Sequence, residues 1–143
     1  MSTERSHDLT APDATTPQPK LKLLSSVPAP PVPDNAEAMT ILVTLPPGSA
    51  GAPPHRHPGP AFGYVIKGEM IFEREGEPQR VVKAGEAFWE PGGDVIHYHD
   101  GNNLPDAETT FVVTMFGVAG KPMLVPVNAE ELDERRDRRA ARP

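Results

Sequence analysis

Two short histidine motifs stand out as residues that could bind a metal. Four of the five histidines in the chain occur in two His-x-His units, His55-Arg56-His57 and His97-Tyr98-His99. Residues i and i+2 of a strand point to the same face and lie about 6.5–7 Å apart along it. Two imidazoles placed in this way can converge on one ion, so each unit predicts half of a metal site. If both stretches are extended and meet inside a barrel, His55, His57, His97 and His99 supply three or four nitrogen ligands.

Other chemistries find less support. A single His-x-His unit is often an exposed loop pair, but the repetition of the unit beside glycine-punctuated strands favours a metal site. The chain contains no cysteine, which excludes disulfides, thiolate ligands and a cysteine nucleophile, so nitrogen and oxygen must hold any metal. The sequence also has no Gly-x-Ser-x-Gly elbow for a serine nucleophile and no glycine-rich phosphate loop.

Length and charge narrow the class of protein. A chain of 143 residues is the usual size of one domain and is long enough to bury a core. Its net charge of −6, without a central basic patch, argues against a nucleic-acid surface. No apolar run approaches the roughly 20 residues that a membrane helix needs, and the first residues lack the apolar stretch of a signal peptide. We therefore predict a soluble cytoplasmic protein that acts on a small molecule and binds neither nucleic acid nor membranes.

The elements that position the histidines are predicted to be strands. Apolar and polar residues alternate with period two in 39-MTILVTL-45, as on a half-buried strand. Similar runs, each bounded by Gly, Pro, Asn or Asp, lie at residues 62–75, 80–90, 94–99 and 110–118. Many short strands and no long helical period before residue 128 predict an all-β sandwich or barrel.

The two ends of the chain differ from this body. Residues 1–20 are rich in Thr, Pro, Ser and Asp and predict a flexible tail. Residues 128–143 predict a short charged helix or tail, with Asn128 as its N-cap and Glu131 as the capping-box partner. Acidic residues come early in this helix and arginines late, which suits the helix dipole. Because it has few apolar residues, we expect a solvated helix rather than a contact surface.

The histidine motifs resemble those of a known family. The stretch from His55 to Gly68 and the stretch 85-GEAFWEPGGDVIHYHDGNN-103 are similar to the two sequence motifs of the cupins, small antiparallel β-barrels of the jelly-roll type. The resemblance covers the body from Leu21 to Val127 and implies a small single-domain bacterial-type cupin, with one jelly-roll barrel over these residues. Since cupins include dioxygenases, decarboxylases, isomerases, cyclases, storage proteins and sensors, the fold does not fix a reaction.

Two departures from the cupin pattern affect the expected site. Ala61 stands where the family usually has a metal-binding glutamate, so the resemblance implies a site without that ligand. In the second motif, Gly93 and His97 are one residue further apart than usual, and so are His97 and Asn102. The resemblance makes His97 the expected third ligand. A bulge would place His99 there instead, or His99 would replace the absent carboxylate as a fourth ligand.

The expected cofactor is one divalent transition metal. Three neutral imidazoles leave the ion with its full charge and favour Fe(II), Zn, Ni or Cu over Mn, so we predict Fe(II) first and the other four as alternatives. A three-histidine site resembles that of the cupin iron dioxygenases, which is the predicted function. The alternatives are a metal-dependent isomerase, cyclase or decarboxylase, in which the ion acts as a Lewis acid, and a non-catalytic ligand- or metal-binding cupin. The resemblance also implies a homodimer.

An acid or base for such a reaction must face the cavity. The titratable candidates are Tyr64, Tyr98, Glu73, Glu90 and His99. Of these we carry Tyr64 and His99 as catalytic candidates, because Tyr98 is predicted to point away from the metal. Glu73, in the charged run 73-EREGE-77, is predicted to lie in a solvated hairpin tip.

Overall fold

Two antiparallel sheets face each other in the computed structural model, which describes residues 16–141. The strands in this part of the chain are β1 (Ala36–Leu45), β2 (His55–Arg56), β3 (Ala61–Lys67), β4 (Glu69–Arg74), β5 (Arg80–Lys83), β6 (Ala87–Glu90), β7 (His97–His99), β8 (Thr109–Val118) and β9 (Val125–Pro126). One sheet has the order β1-β8-β3-β6 and the other the order β5-β4-β7-β2-β9. This arrangement confirms the predicted all-β jelly-roll fold.

The period-two runs of the sequence correspond to these strands. Glycine turns split two of the predicted runs, one into β3 and β4 at Gly68 and the other into β5 and β6 at Gly85. Gly68 has a φ of 85°, and a Cβ added there would lie 2.3 Å from Thr109 Oγ1, so only glycine fits this turn. The longest pairing joins β1 to β8, from Ala36 opposite Val118 to Leu45 opposite Thr109.

The core lies between the inner faces of the two sheets. Its buried members are Leu45, Ala61, Val65, Met70, Phe72, Val82, Phe88, Phe111 and Val113. The ring of Phe88 packs at 5.4 Å from that of Phe72 and at 5.5 Å from that of Phe111, measured between centroids. Phe62 and Trp89 instead stack on each other with centroids 6.0 Å apart, on the face that strand alternation turns away from this core.

The C-terminal segment contains a short helix, α1 (Ala129–Glu134), and one turn of 3-10 helix at Arg136–Arg138. Asn128 caps α1 as predicted, because its Oδ1 accepts the N–H of Glu131 at 2.8 Å. The carboxylate of Glu131 does not return to the cap. It accepts two hydrogen bonds from Arg56, at 2.9 and 2.6 Å, and so fastens the helix to β2.

Two further arginines hold the residues after α1 against the second sheet, whereas α1 itself has no buried residue and is solvated as predicted. Arg135 pairs with Glu75, and Arg139 donates to both oxygens of Glu73 at 2.6 and 2.8 Å. Glu73 is only 1% exposed, so its prediction as a solvated hairpin tip is wrong. Strand β4 continues through Arg74, and the turn begins at Glu75, two residues after the start of the predicted hairpin tip.

Residues 1–15 of the predicted flexible tail lie outside the described part of the chain, and residues 16–20 are exposed. Among residues 16–141, no helix has the length and apolar character required to cross a bilayer.

Candidate functional site

Three buried histidines meet on the inner face of the second sheet. Strands β2 and β7 pair so that His55 lies directly opposite His97, and directly opposed residues project to the same side. Their ring centroids are 4.9 Å apart. His57, which follows at the end of β2, places its ring 4.7 Å from His55 and 6.2 Å from His97. One ligand atom from each of the three histidines lies within 4.8 Å of the others, which is a grouping that can hold a metal ion.

Hydrogen bonds to the backbone fix the tautomers of the first pair. His55 Nδ1 lies 2.7 Å from the carbonyl oxygen of Pro53, and His57 Nδ1 lies 2.6 Å from that of Met123. A carbonyl can only accept, so each Nδ1 carries the proton and each neutral ring presents a lone pair at Nε2. The two Nε2 atoms are 3.1 Å apart. Two lone pairs facing each other at this distance repel unless a proton or a metal ion lies between them, and a bound metal meets that condition.

A carboxylate lies beside the three histidines, although it does not come from the position where the cupin pattern has its glutamate. Glu90, at the end of β6, is 3% exposed, with Oε2 at 2.8 Å from His97 Nδ1 and Oε1 at 3.3 Å from His57 Nε2. Ala61 lies directly opposite Glu90 in the β3–β6 ladder. The metal-binding group found among the described residues contains the three histidines alone, so the prediction of a site without the glutamate ligand of the family stays, and the neighbouring strand places the Glu90 carboxylate beside that group.

Charge and burial act together on these groups. Burial raises the pKa of Glu90, but contact with His97 and the charges of the surrounding histidines outweigh burial and leave the pKa below the ordinary 4.5. Burial lowers the pKa of His55. Burial also acts to lower the pKa of His97, but the adjacent Glu90 carboxylate outweighs it, so the pKa of His97 is raised. The site thus combines a neutral His55 with an ionised Glu90, and it attracts a cation.

His97 has an unsatisfied nitrogen. Its Nε2 is buried and has no hydrogen-bond partner in the described part of the chain. Its Nδ1 is close to Glu90 Oε2 but is not aligned as a linear hydrogen bond. Because buried polar atoms without partners are rare, the free Nε2 indicates that a ligand is needed at this position. Three histidines and one carboxylate are donors that suit a divalent transition metal.

The site opens into an apolar cavity of about 320 Å³ between the two sheets. His55, His57, His97 and Glu90 form part of its wall. The apolar part of the wall includes Val43, Leu45, Phe88, Phe111, Val113 and Leu124. Asp100 also lines the cavity, whereas no lysine or arginine in the described part of the chain does. The cavity therefore suits a small molecule without strong negative charge.

The loop after His57 is held in close contact with the loop before β7. Gly93 N–H donates to the carbonyl oxygen of His57 at 2.8 Å. Gly92 has a φ of 71°, and a Cβ added there would lie 1.9 Å from the carbonyl oxygen of Gly59. This contact fixes the position of His57 relative to the strand that carries His97.

The other predicted site residues lie away from the three histidines. His99 Nδ1 accepts the N–H of Gly101 at 3.0 Å, and His99 is not part of the metal-binding group found in the described residues. Tyr64 is 37% exposed and lines a different groove, against Leu24. Tyr98 packs under the guanidinium of Arg139 at 4.3 Å. The ligand role of His99 and the catalytic roles of Tyr64 and His99 stay predictions, and neither residue lines the cavity.

Glu90 was named among the acid–base candidates but not as part of the metal site. The sequence did contain a signal for its position. In 87-AFWE-90, strand alternation puts Glu90 in phase with Phe88, a buried core residue, so the carboxylate must point inward. A glutamate in phase with a core aromatic is uncommon unless it has a partner, and the partner here is His97.

Comparison with known proteins agrees with the fold. A structure of the DMSP lyase DddQ from Ruegeria pomeroyi DSS-3 is 24% identical with a TM-score of 0.54, covering 63% of this chain and 43% of that one. A structure of oxalate oxidase with the substrate analogue glycolate is 28% identical with a TM-score of 0.50, covering 68% of this chain and 55% of that one. This chain therefore spans about half the length of either structure. The first likeness concerns the fold alone.

Comparison with curated proteins gave no match. A family model described as a cupin domain matches residues 41–115, which is just over half of the chain. The matched region contains the three histidines, Glu90 and most of the cavity wall. With its jelly-roll sheets and this match, the chain belongs to the cupin family.

Proposed function

We propose that the protein is a metal-dependent dioxygenase that acts on a small, largely apolar molecule. The observation that carries the proposal is the group of three buried histidines at the wall of an apolar cavity, with both ring nitrogens of His97 free of any hydrogen-bond partner among the described residues. Catalytic metal sites have three protein ligands and leave positions open for reactants, whereas structural sites are closed. His55, His57 and His97 would hold the ion.

The bound ion supplies the chemistry that the side chains lack, since a transition metal with open positions can bind oxygen and the oxygen atoms of a substrate. The chain itself contributes binding and exclusion of water. Phe88, Phe111 and Val113 provide an apolar surface for the body of the substrate. Burial of this surface also keeps bulk water away from the reacting atoms.

The charge of the cavity wall narrows the substrate class. Asp100 and Glu90 line the cavity, and no lysine or arginine of residues 16–141 does. A dianion would meet these two acids, and the divalent ion alone would compensate its charge, whereas an uncharged substrate needs no such compensation. Oxalate oxidase binds the small carboxylate glycolate, but this wall matches an uncharged substrate better. Diketones, catechols and flavonols offer two oxygen atoms to a metal and an apolar body to the wall.

One observation favours a second candidate, a metal-dependent isomerase, cyclase or decarboxylase. The ionised carboxylate of Glu90 at the cavity wall can accept a proton from a substrate, as a general base must. A metal ion held by His55, His57 and His97 would then supply Lewis-acid chemistry, which consumes no oxygen. Oxygen consumption therefore separates the two candidates.

The test is oxygen uptake by the Fe(II)-loaded protein with a panel of diketones, catechols, flavonols and thiols. We expect uptake that depends on one substrate class and disappears in the His55→Ala/His57→Ala variant. A protein that binds iron fully but consumes no oxygen with any member of the panel contradicts the dioxygenase. Formation of product without oxygen uptake would support the second candidate.

A further inference from the structure

We infer that Glu90 is a positioning residue of the metal site, which holds His97 through Nδ1 so that Nε2 faces the ion. The inference rests on the metal site proposed above and assigns a role to a residue outside the three ligands. Glu90 Oε2 lies 2.8 Å from His97 Nδ1, while His97 Nε2 has no partner within residues 16–141. A carboxylate on the far nitrogen of a ligating histidine orients the ring and makes it a better donor.

The three histidines share one arrangement that supports this role. The Nδ1 atoms of His55 and His57 are each held by a backbone carbonyl, at 2.7 and 2.6 Å. In His97 the Glu90 carboxylate takes the place of the carbonyl. His55 and His57 are therefore fixed on the Nδ1 side by hydrogen bonds. For His97 the 2.8 Å contact with Glu90, which is not aligned as a hydrogen bond, is the corresponding restraint that would leave Nε2 for the ion. A second difference is that the partner of His97 carries a full negative charge.

The position of Glu90 is set by the sheet rather than by a flexible loop. It ends β6 and lies opposite Ala61, whose small side chain leaves room for the carboxylate inside the cavity wall. A buried carboxylate is costly unless it has a charged or hydrogen-bonding partner. The two nearest partners are His97 and His57, and both belong to the metal site. The charge of Glu90 is thus directed at the site and offsets part of the charge of a divalent ion.

Two substitutions separate the effect of the charge from the effect of position. Glu90→Gln keeps the shape and one oxygen that can accept the Nδ1 proton, but it removes the charge. Glu90→Ala removes both. Glu37→Gln is the control, because Glu37 is an exposed residue of β1 far from the cavity wall. The measurements are Co(II) affinity by titration, the visible spectrum of the Co(II) protein, and chemical unfolding of each metal-free variant.

We expect Glu90→Gln to weaken Co(II) binding about tenfold and Glu90→Ala up to about 100-fold, the range seen when partners of ligating histidines are removed. The visible spectrum of bound Co(II) should change in Glu90→Ala, because His97 is no longer oriented, and should stay unchanged in Glu37→Gln. A merely structural role would lower unfolding stability without changing the spectrum of the bound ion.

The inference is overturned if both Glu90 variants bind Co(II) within about twofold of the unsubstituted protein and show its spectrum. In that outcome the proposed metal site survives as long as His55→Ala abolishes binding. If the unsubstituted protein itself binds no Co(II), the proposed function fails and the role of Glu90 fails with it. The two failures are therefore distinguishable.

Discussion

Substitution of Gly92 tests whether the contact between two loops positions the metal site. Both Gly92 and its neighbour Gly93 have positive φ angles, 71° and 63°. A Cβ at Gly92 would lie 1.9 Å from the carbonyl oxygen of Gly59, whereas a Cβ at Gly93 would meet no atom within 4 Å. Gly93→Ala is therefore a matched control that carries the conformational cost without the clash.

The expected magnitudes follow from these two terms. A side chain in the left-handed region costs about 1–2 kcal/mol, which is the whole effect expected for Gly93→Ala. Gly92→Ala adds an overlap with backbone that cannot rotate away, and overpacking of this kind costs about 1–3 kcal/mol more. Relief of the overlap must also separate the loops on either side, which moves His57 and weakens metal binding.

The assay is urea unfolding of both variants, with Co(II) affinity measured on the same preparations. We expect Gly92→Ala to unfold at a lower urea concentration than Gly93→Ala and to bind Co(II) more weakly. Equal unfolding midpoints for the two variants would refute the argument that the Gly59–Gly92 contact is close and rigid.

Two further predictions concern the arginines that dock the C-terminal segment. Arg139→Met removes two charge-assisted hydrogen bonds to the buried Glu73 and should lower the free energy of unfolding by about 1–3 kcal/mol. The control is Arg136→Met at an exposed position, which should leave urea unfolding unchanged. Equal effects of the two would contradict the docking. A hydrogen bond from Arg135 lowers the pKa of Asp94 below the ordinary 3.8. The Arg135–Asp94 pair therefore stabilises the fold above pH 3.8, and this stabilisation is lost as the pH falls through the folded-state pKa of Asp94. Unfolding curves of Asp94→Asn should thus differ from those of the unsubstituted protein near pH 7 and coincide near pH 2, and a difference that persists in acid would speak against the pair.

The strands could be predicted because their signal is local. Alternation in 39-MTILVTL-45 and turns at glycines such as Gly68 are read from neighbouring residues, and the structure has β1, β3 and β4 at these places. The grouping of histidines was also a local signal, since the two rings of a His-x-His unit share a face of a strand. The β2–β7 register decides which histidine of the second His-x-His unit lies beside the first unit. In this register His97, not His99, lies opposite His55.

The inward direction of the Glu90 carboxylate could be predicted from its alternation with Phe88, but the place of this carboxylate beside the three histidines depends on strand pairing and could not. The cupin pattern has its glutamate on β3, where this chain has Ala61, and nothing along β3 replaces it. β6 supplies Glu90, which lies opposite Ala61 in the sheet. The contacts of the C-terminal segment likewise join residues that are far apart in the sequence. Glu73 lies 66 residues before Arg139, and composition alone predicted both to be solvated.

The most direct test of the account is metal content. Protein expressed without a tag in medium that contains Fe, Zn, Ni, Mn and Cu is purified and its metals are measured by elemental analysis. We predict about one transition-metal ion per chain, as three protein ligands in one site allow, and none in the His55→Ala/His57→Ala variant. A double variant that keeps the full metal content, or an unsubstituted protein that holds no metal, would contradict the assignment of this site.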